Sequence, residues 1–310
     1  MNENKVIYQL LTEIAVEKNI NIRTLSHGWI IELNKNGINR YVLGNVFDLN
    51  NFVAAQIASD KYAAYELIEK SNIPIIKCHL VFNPATMCEY MSDEGIMSSI
   101  SKYLDKYGTI VIKPNVGSGG KGVYKCETQK EAEAAIFKLF QTKRSLSICP
   151  YYNIVKEYRT FYLDGECLLT YGKSKPKVIG DGISTIRELM NKKVESTDRL
   201  LNEKIDFDDI PAKNETVELF WKHNLSQGAS IDDIHDKTKL CQIHDLAKKA
   251  GMATAITFAT VDIAELESGE LLVMEVNSGI GMSRYVELSP NGFINIKGVL
   301  STAVDKMFCV

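Results

Sequence analysis

Apolar residues recur at helical spacing over residues 5–18, where Val6, Leu10 and Ile14 form one stripe with Ile7 and Leu11 beside it. That spacing predicts an amphipathic helix. Two β-rich runs follow, residues 29–33 and 40–43, around Asn36-Gly37, a dipeptide suited to a tight hairpin. A helix is predicted from Ser59, placed as its N-cap, to Lys70, and Asn72-Ile73-Pro74 stops it. Next come a strand over 77–82, a helix over 93–106 ending near Gly108, and a compact apolar strand over 109–113. A glycine-rich loop leads to another strand-like run at 122–126. Thr128 is positioned to cap a helix over Gln129–Phe140, and residues 146–149 read as a strand.

From Tyr151 the pattern changes. Residues 157–163 and 166–171 alternate around Asp164-Gly165, a second hairpin signal. A helix is expected at 184–191, and the charged, irregular stretch 192–215 reads as a surface insertion. A long helix over 236–250 is expected to close on Gly251 at C′. Residues 254–263 and 271–276 fold back across Ser268-Gly269, and a last helix runs from Asn295 to near Met307. The whole is an α+β pattern with mostly antiparallel sheets, divided near residue 150, behind a short accessory block.

Composition narrows the class. The chain has 310 residues, 45% hydrophobic and 24% charged, which excludes disordered, collagen-like and coiled-coil readings. Its 36 basic and 39 acidic residues nearly balance, so a broad nucleic-acid footprint is not expected. Seven cysteines, at 78, 88, 126, 149, 167, 241 and 309, are odd in number and have no C-x-x-C spacing. That argues against a disulfide framework or a cysteine zinc site and for a reducing compartment. The first twenty residues lack the apolar core of a signal peptide or membrane span. A soluble, cytoplasmic protein without nucleic-acid or membrane partners is the expectation.

Two constellations carry candidate chemistry. Lys113-Pro114-Asn115-Val116-Gly117-Ser118-Gly119-Gly120-Lys121-Gly122 contains G-x-G-x-x-G. Glycines let backbone N–H groups approach phosphate oxygens closely. A Rossmann fingerprint needs a helix directly after the loop, but Val123 begins a strand-like run. A Walker A loop needs Ser or Thr after Gly-Lys, and Lys121 is followed by Gly122. A kinase reading lacks H-R-D and D-F-G. There remain a flap folding over nucleotide phosphates, with Lys113 on the leading strand, and a glycine-rich hairpin without a ligand. The second constellation is Asp262, Glu275 and Asn277 on the two arms of the last hairpin. Glu275 and Asn277, two apart, share a strand face, and the turn can bring Asp262 beside them. Three oxygens on one face suit Mg²⁺; a solvated hairpin end is the alternative.

Together these pieces resemble the ATP-grasp superfamily of carboxylate–amine ligases over residues 55–290. The resemblance is closest to the cyanophycin synthetase and ribosomal-protein glutamate ligase branches. Ile57-Ala58-Ser59-Asp60-Lys61 with Asn72-Ile73-Pro74, Ile112-Lys113-Pro114 with the glycine loop, and Glu157-Tyr158-Arg159 match in order. So do Gly180-Asp181-Gly182-Ile183-Ser184-Thr185, Lys222-His223-Asn224-Leu225-Ser226-Gln227-Gly228 and Glu275-Val276-Asn277. Pro150 stands where relatives often carry Glu, and Ser278-Gly279 follows Asn277 in place of Pro-Gly.

The resemblance implies an ATP-grasp fold, with two α+β subdomains whose antiparallel sheets clamp ATP. Residues 1–56 would be a short N-terminal accessory domain, 57–149 the nucleotide-clamping subdomain, and 150–310 the catalytic and metal-binding subdomain. It implies activation of a carboxylate as an acyl phosphate and its transfer to an amine, with release of ADP and phosphate. Peptide or protein modification, or a non-catalytic nucleotide-binding role, are the alternatives. Lys61, Lys113, Lys222 and the loop residues Gly117, Ser118, Gly119, Gly120 and Lys121 would contact ATP. The backbone of Cys149, Pro150 and Tyr151 would form the adenine hinge, and Glu157 would hydrogen-bond ribose. Arg159, with Lys173 or Lys175, would steady the transferred phosphoryl group or the substrate carboxylate, and Asn224 would reach the phosphates. Asp262, Glu275 and Asn277 would hold one or two Mg²⁺ ions, with Mn²⁺ as a substitute. Substrates would be small molecules or short peptides, and relatives are often homodimers.

Overall fold

The first apolar stripe folds as helix α1 (Glu3–Lys18), burying Val6, Ile7, Leu10, Leu11 and Ile14. The computed structural model describes residues 3–87, 89, 95–117, 119–191 and 205–309. An antiparallel sheet follows, ordered as in sequence: β1 (Asn21–Leu25), β2 (Ile30–Lys35), β3 (Ile38–Leu43) and β4 (Val46–Phe47). Asn36 and Gly37 both have positive φ, 53° and 82°, as a two-residue turn with the twist of its strands requires.

Two helices not separated in the sequence pattern come next, α2 (Phe52–Ser59) and α3 (Lys61–Lys70). Asn51 caps the first, accepting from Ala54 N at 2.8 Å. The cap of α3 is Asp60, not Ser59: its carboxylate accepts from Tyr62 N and Ala63 N, while Ser59 Oγ donates back to Gln56 O. The apolar run at 52–59 has no periodic polar face, which hides the break between the helices.

The chain then builds a separate four-stranded sheet, in the order β5 (His79–Phe82), β8 (Ser145–Pro150), β6 (Ile110–Pro114), β7 (Tyr124–Cys126). Helices α4 (Ile96–Tyr107) and α5 (Gln129–Phe140) supply Ile100, Ala132, Ile136 and Leu139 to its core. Thr128 and Glu131 form a reciprocal capping box on α5.

The largest sheet has the order β13 (Ser230–Asp232), β10 (Glu166–Ser174), β9 (Ile154–Leu163), β14 (Phe258–Leu266), β15 (Leu271–Asn277), and neighbouring strands pair antiparallel. A side unit of β11 (Lys177–Ile179), α6 (Ile186–Asn191) and β12 (Thr216–Glu218) has its own small core of Val178, Ile186, Met190 and Leu219. The insertion expected at 192–215 lies partly outside the described residues.

Helix α7 (Lys237–Ala253) covers one face of the large sheet, where Ile243, Ala247 and Ala250 meet Tyr158, Tyr162 and Val261. Helices α8 (Ser283–Leu288) and α9 (Gly292–Phe308) end the chain, and α9 shares a core with α1, Phe161 and Phe258 on the other face. The accessory block is therefore packed into the C-terminal lobe. Ala58, Ile68 and Ile73, from α2, α3 and the stop beyond, join the α7 cluster. Among the described residues, the four-stranded sheet and helices α4 and α5 pack around a core of their own between His79 and Pro150. Among the described residues no helix is long and apolar enough to cross a membrane.

Gly251 does not close α7 at C′. The helix runs on to Ala253, and Ala255 takes the positive φ, 53°. Gly251 is there for contact: a Cβ on it would lie 2.5 Å from the buried Tyr162 ring. Gly251→Ala is expected to destabilise the protein by about 1–3 kcal/mol through overpacking. Gly298→Ala, in α9 with open space around it, is expected to stabilise by up to about 1 kcal/mol. Denaturant midpoints of the two variants check both signs.

Candidate active site

The strands of the large sheet change character along one face. On β9, Phe161 and Leu163 enter the α1–α9 core, while Arg159 and Glu157, at the same period of two, carry charge. The register places Tyr171 and Lys173 of β10 beside Arg159 and Glu157, and Asp262 of β14 on the other side of Arg159. Glu275 pairs with Asp262 from β15, and Asn277 pairs with Thr260. A bulge follows Asp262, where the partner slips from Glu275 to Val273. Such a bulge bends a strand and redirects its side chains. Period-two alternation thus puts six of the predicted residues on one patch.

Asp262 is 1% exposed. Arg159 grips it with two parallel bonds, Nε to Oδ1 at 2.8 Å and a terminal nitrogen to Oδ2 at 2.6 Å. Lys173 Nζ donates to Asp262 Oδ1 at 3.1 Å and also to Glu157. Lys175 instead pairs with Glu218 at 3.1 Å, so Lys173 is the lysine of the cluster. Burial alone would raise the Asp262 pKa, but Arg159 and Lys173 outweigh it and hold the carboxyl well below its usual value. Burial likewise disfavours charge on Lys173, yet Asp262 and Glu157 raise its pKa. At Glu157 burial dominates and raises the pKa.

The glycine loop hangs over this patch. Lys61 Nζ donates to Gly117 O at 2.7 Å and lies 3.8 Å from Glu275 Oε2. From the opposite side, Asn224 Nδ2 donates to Gly119 O at 2.9 Å and Lys222 Nζ to Val123 O at 2.9 Å. Gly120 has φ +67° and a Cβ there would strike Asn224 Nδ2 at 2.8 Å, so glycine is required on both counts. Ser118 lies outside the described residues, and Lys121 is exposed. Lys113 stands opposite Ser147, on the sheet face turned toward Glu275. Burial lowers its pKa, but the charges of Cys149 and Glu275 turn the net shift upward. Burial alone brings Lys222 down to about 8.

At the expected hinge, Cys149 and Pro150 pair with Val111 and Ile110, and Tyr151 N donates to Thr109 O at 2.9 Å. The Tyr151 amide is thus already satisfied, and its ring stacks edge-on against Trp221 and beneath Lys125. Two residues gained no role from the motifs. Asn115, 1% exposed, accepts from Tyr62 N through its side chain at 3.0 Å and from Lys61 N through its carbonyl at 3.1 Å. It joins the loop to the start of α3; a lone polar residue after Ile112-Lys113-Pro114 was the available signal. His223 is buried, 3.9 Å from Glu157, with Nε2 unpartnered among the described residues.

Asp262, Glu275 and Asn277 lie together, two carboxylates and an amide of the oxygen-donor type a hard divalent cation takes. Asn277 Nδ2 lies 3.4 Å from Asp262 Oδ2 and 3.2 Å from Glu275 Oε1, so the amide already sits between the two carboxylates. Turning that amide over presents a third oxygen, as Mg²⁺ prefers. Arg159 must then release at least one of its two bonds to Asp262.

No family model matches the chain. Cyanophycin synthetase of Trichormus variabilis is 24% identical over an alignment covering 97% of this chain and 34% of that protein. The tetrahydromethanopterin:alpha-L-glutamate ligase of Methanocaldococcus jannaschii is 27% identical, covering 75% of this chain and 63% of that protein. A crystal structure of a bifunctional glutathione synthetase from Pasteurella multocida superposes with a TM-score of 0.56 at 18% identity, covering 95% of this chain and 44% of that one. The chain therefore spans about a third of the length of the cyanophycin synthetase it matches. The fold is ATP-grasp, and the resemblance to carboxylate–amine ligases extends across nearly the whole chain.

Asp262→Asn leaves Arg159 and Lys173 as buried cations without their shared partner and is expected to cost about 3–5 kcal/mol at pH 7. The depressed Asp262 pKa makes its contribution complete above its unfolded value near 4 and progressively lost as pH falls below it. The acid limb of stability against pH should therefore be shallower in the variant, as urea denaturation between pH 2 and 7 can measure.

Proposed function

We propose that this chain is an ATP-dependent, ADP-forming carbon–nitrogen ligase that activates a carboxylate as an acyl phosphate and passes the acyl group to an amine. What supports this best is one convergence. Lys61 bridges the glycine loop and Glu275, and Glu275 adjoins the Asp262–Arg159–Lys173 cluster through Asn277. Groups from opposite ends of the chain thereby face one cleft between two sheets.

Phosphoryl transfer is chiefly positioning and charge neutralisation. Lys61, Lys113 and Lys222 supply positive charge to the phosphates, and the loop amides at Gly117, Gly119 and Gly120 supply donors. Glu157, with Lys173 holding its orientation, takes the ribose hydroxyls. Arg159 and Lys173 then face the γ-phosphate and the attacking carboxylate, whose mutual repulsion is the main electrostatic obstacle. Asn224 closes the loop from the other side. Asp262, Glu275 and Asn277 would hold Mg²⁺, which supplies further neutralisation of the phosphate oxygens. The closing loop keeps water from the reactive acyl phosphate.

The experiment is a trap. Protein, ATP, Mg²⁺ and hydroxylamine are incubated with pools of carboxylic acids, and hydroxamate and ADP are assayed together. Equimolar products support the reading, whereas ADP without hydroxamate across every pool, or no ADP, refutes it.

Lys222 adds a pH signature. Its pKa, about 8 in the free protein, must rise when a phosphate becomes its partner. Nucleotide binding between pH 8 and 9 should therefore take up a proton, and affinity should fall as pH rises through 8. Calorimetry in buffers of different ionisation enthalpy measures the uptake, and Lys222→Met should abolish it.

A further inference from the structure

The ligase reading uses Lys222 and Asn224 and leaves the residue between them without a part. Lys222 and Asn224 reach across to carbonyls of Val123 and Gly119. The His223 side chain is 2% exposed and lies against β9 instead: Nδ1 stands 3.9 Å from Glu157 Oε2, and the ring hydrogen-bonds to the backbone of Val155. Nε2 is buried and has no partner among the described residues. Buried nitrogens are almost always paired, so a bare one calls for a reason.

The surroundings set its protonation. Burial brings the His223 pKa down to about 4, helped by Lys175 and Lys173 and opposed by the Val155 bond and by Glu218. The imidazole is therefore neutral at physiological pH, with one donor and one acceptor nitrogen. Because Nε2 has no partner, the bond to Val155 belongs to Nδ1–H, and Nε2 carries a free lone pair. Glu157 is in a similar state. Lys173 holds its Oε1, and Oε2, on the side of the ring, accepts no hydrogen bond among the described residues. Two acceptors on adjoining groups thus lack donors.

Charge narrows what can fill them. A further cation would meet Lys173 and Lys175, and an anion would meet Glu157. An uncharged group with two neighbouring O–H donors fits, as a cis-diol offers. We propose that His223 is a specificity-determining residue for the nucleotide, its Nε2 accepting one ribose hydroxyl while Glu157 Oε2 accepts the other. This deepens the ligase reading and rests on it, since that reading is what brings a ribose to Glu157.

The ring becomes reachable through the event that brings the nucleotide. Its chain neighbours are tied to the glycine loop, and in the ligase reading phosphates displace those ties, so the segment carrying His223 is released as the ribose arrives. Two acceptors then read two hydroxyls separately. A nucleotide lacking the 2′- or the 3′-hydroxyl leaves one acceptor buried without a donor. An unpaired buried polar group discriminates far more sharply than a lost apolar contact.

The test measures binding of ADP, 2′-deoxy-ADP and 3′-deoxy-ADP with Mg²⁺ by calorimetry; diphosphates serve because they lack the phosphoryl group that is transferred. The unaltered chain should bind ADP about tenfold or more tighter than either deoxynucleotide. His223→Phe keeps a ring and removes both nitrogens. It should bind ADP and one of the deoxynucleotides within about twofold of each other, while the other, read by Glu157, stays weaker. A packing role would instead lower all three affinities together and keep their ratios, and that result overturns the proposal. Equal binding of all three by the unaltered chain overturns it too and leaves the ligase reading standing. A second readout needs no variant to fold. In the ¹⁵N-histidine-labelled chain, the resonance of a buried, unprotonated nitrogen should shift with ADP and not with one of the deoxynucleotides; the same response to all three overturns the proposal. Failure of the unaltered chain to bind any of them refutes the ligase reading, and this inference with it.

Discussion

Everything at the candidate site depends on keeping the Asp262 carboxylate ionised in the middle of a sheet. An isolated buried carboxylate would take up a proton rather than stay charged. Here a two-pronged guanidinium and an ammonium surround it, and they can do so because Arg159 and Lys173 come from β9 and β10 in adjoining register. The compensation is costly to assemble, since three or four charged groups leave water together. It is retained where the strands pass from their apolar half to the cleft, so the α1–α9 core and the charged patch are two halves of one sheet face.

Much of this was legible from the chain. Period-two alternation gave the hairpins at Asp164-Gly165 and Ser268-Gly269, and both turns place the expected residues side by side. Glu275 and Asn277 needed only their spacing, and Asp262 needed only the fold-back. The choice between Lys173 and Lys175 was not legible, because it depends on which strand face looks into the cleft; the register decides for Lys173. Gly251 shows the same limit. A glycine near a helix end signals a cap locally, but here the need for it comes from the Tyr162 ring on a distant strand. The short strands β11, β12 and β13 carry too few residues for any period to show. The accessory block looked separate because its helix lies at the start of the chain, while its partner α9 lies at the end.

The glycine loop is held down by the very groups expected to meet phosphates. Lys61, Lys222 and Asn224 donate to carbonyls of Gly117, Val123 and Gly119. Carbonyl oxygens are weak anions by comparison with a triphosphate, and charge-assisted bonds to phosphate are the stronger ones. Under the ligase reading proposed above, an incoming nucleotide would take over these donors from the loop carbonyls. Lys222, whose charge burial already weakens, would gain most from that exchange.

Motion of this kind requires a lobe that can shift without opening its own core. The clamp sheet satisfies that requirement: Val81, Ile100, Ile112, Ile136 and Ile148 pack among themselves and with α4 and α5. Its ties to the rest are polar, from Lys61, Asn115, Lys222 and Asn224, apart from the two chain crossings. Polar ties exchange with water or ligand at little net cost, whereas separating apolar surfaces would cost about 25 cal/mol for each Å² exposed. The division of the molecule into a unit with a private core and a unit built around α1, α7 and α9 thus allows one to shift against the other without exposing apolar core, as the proposed ligase cycle would require.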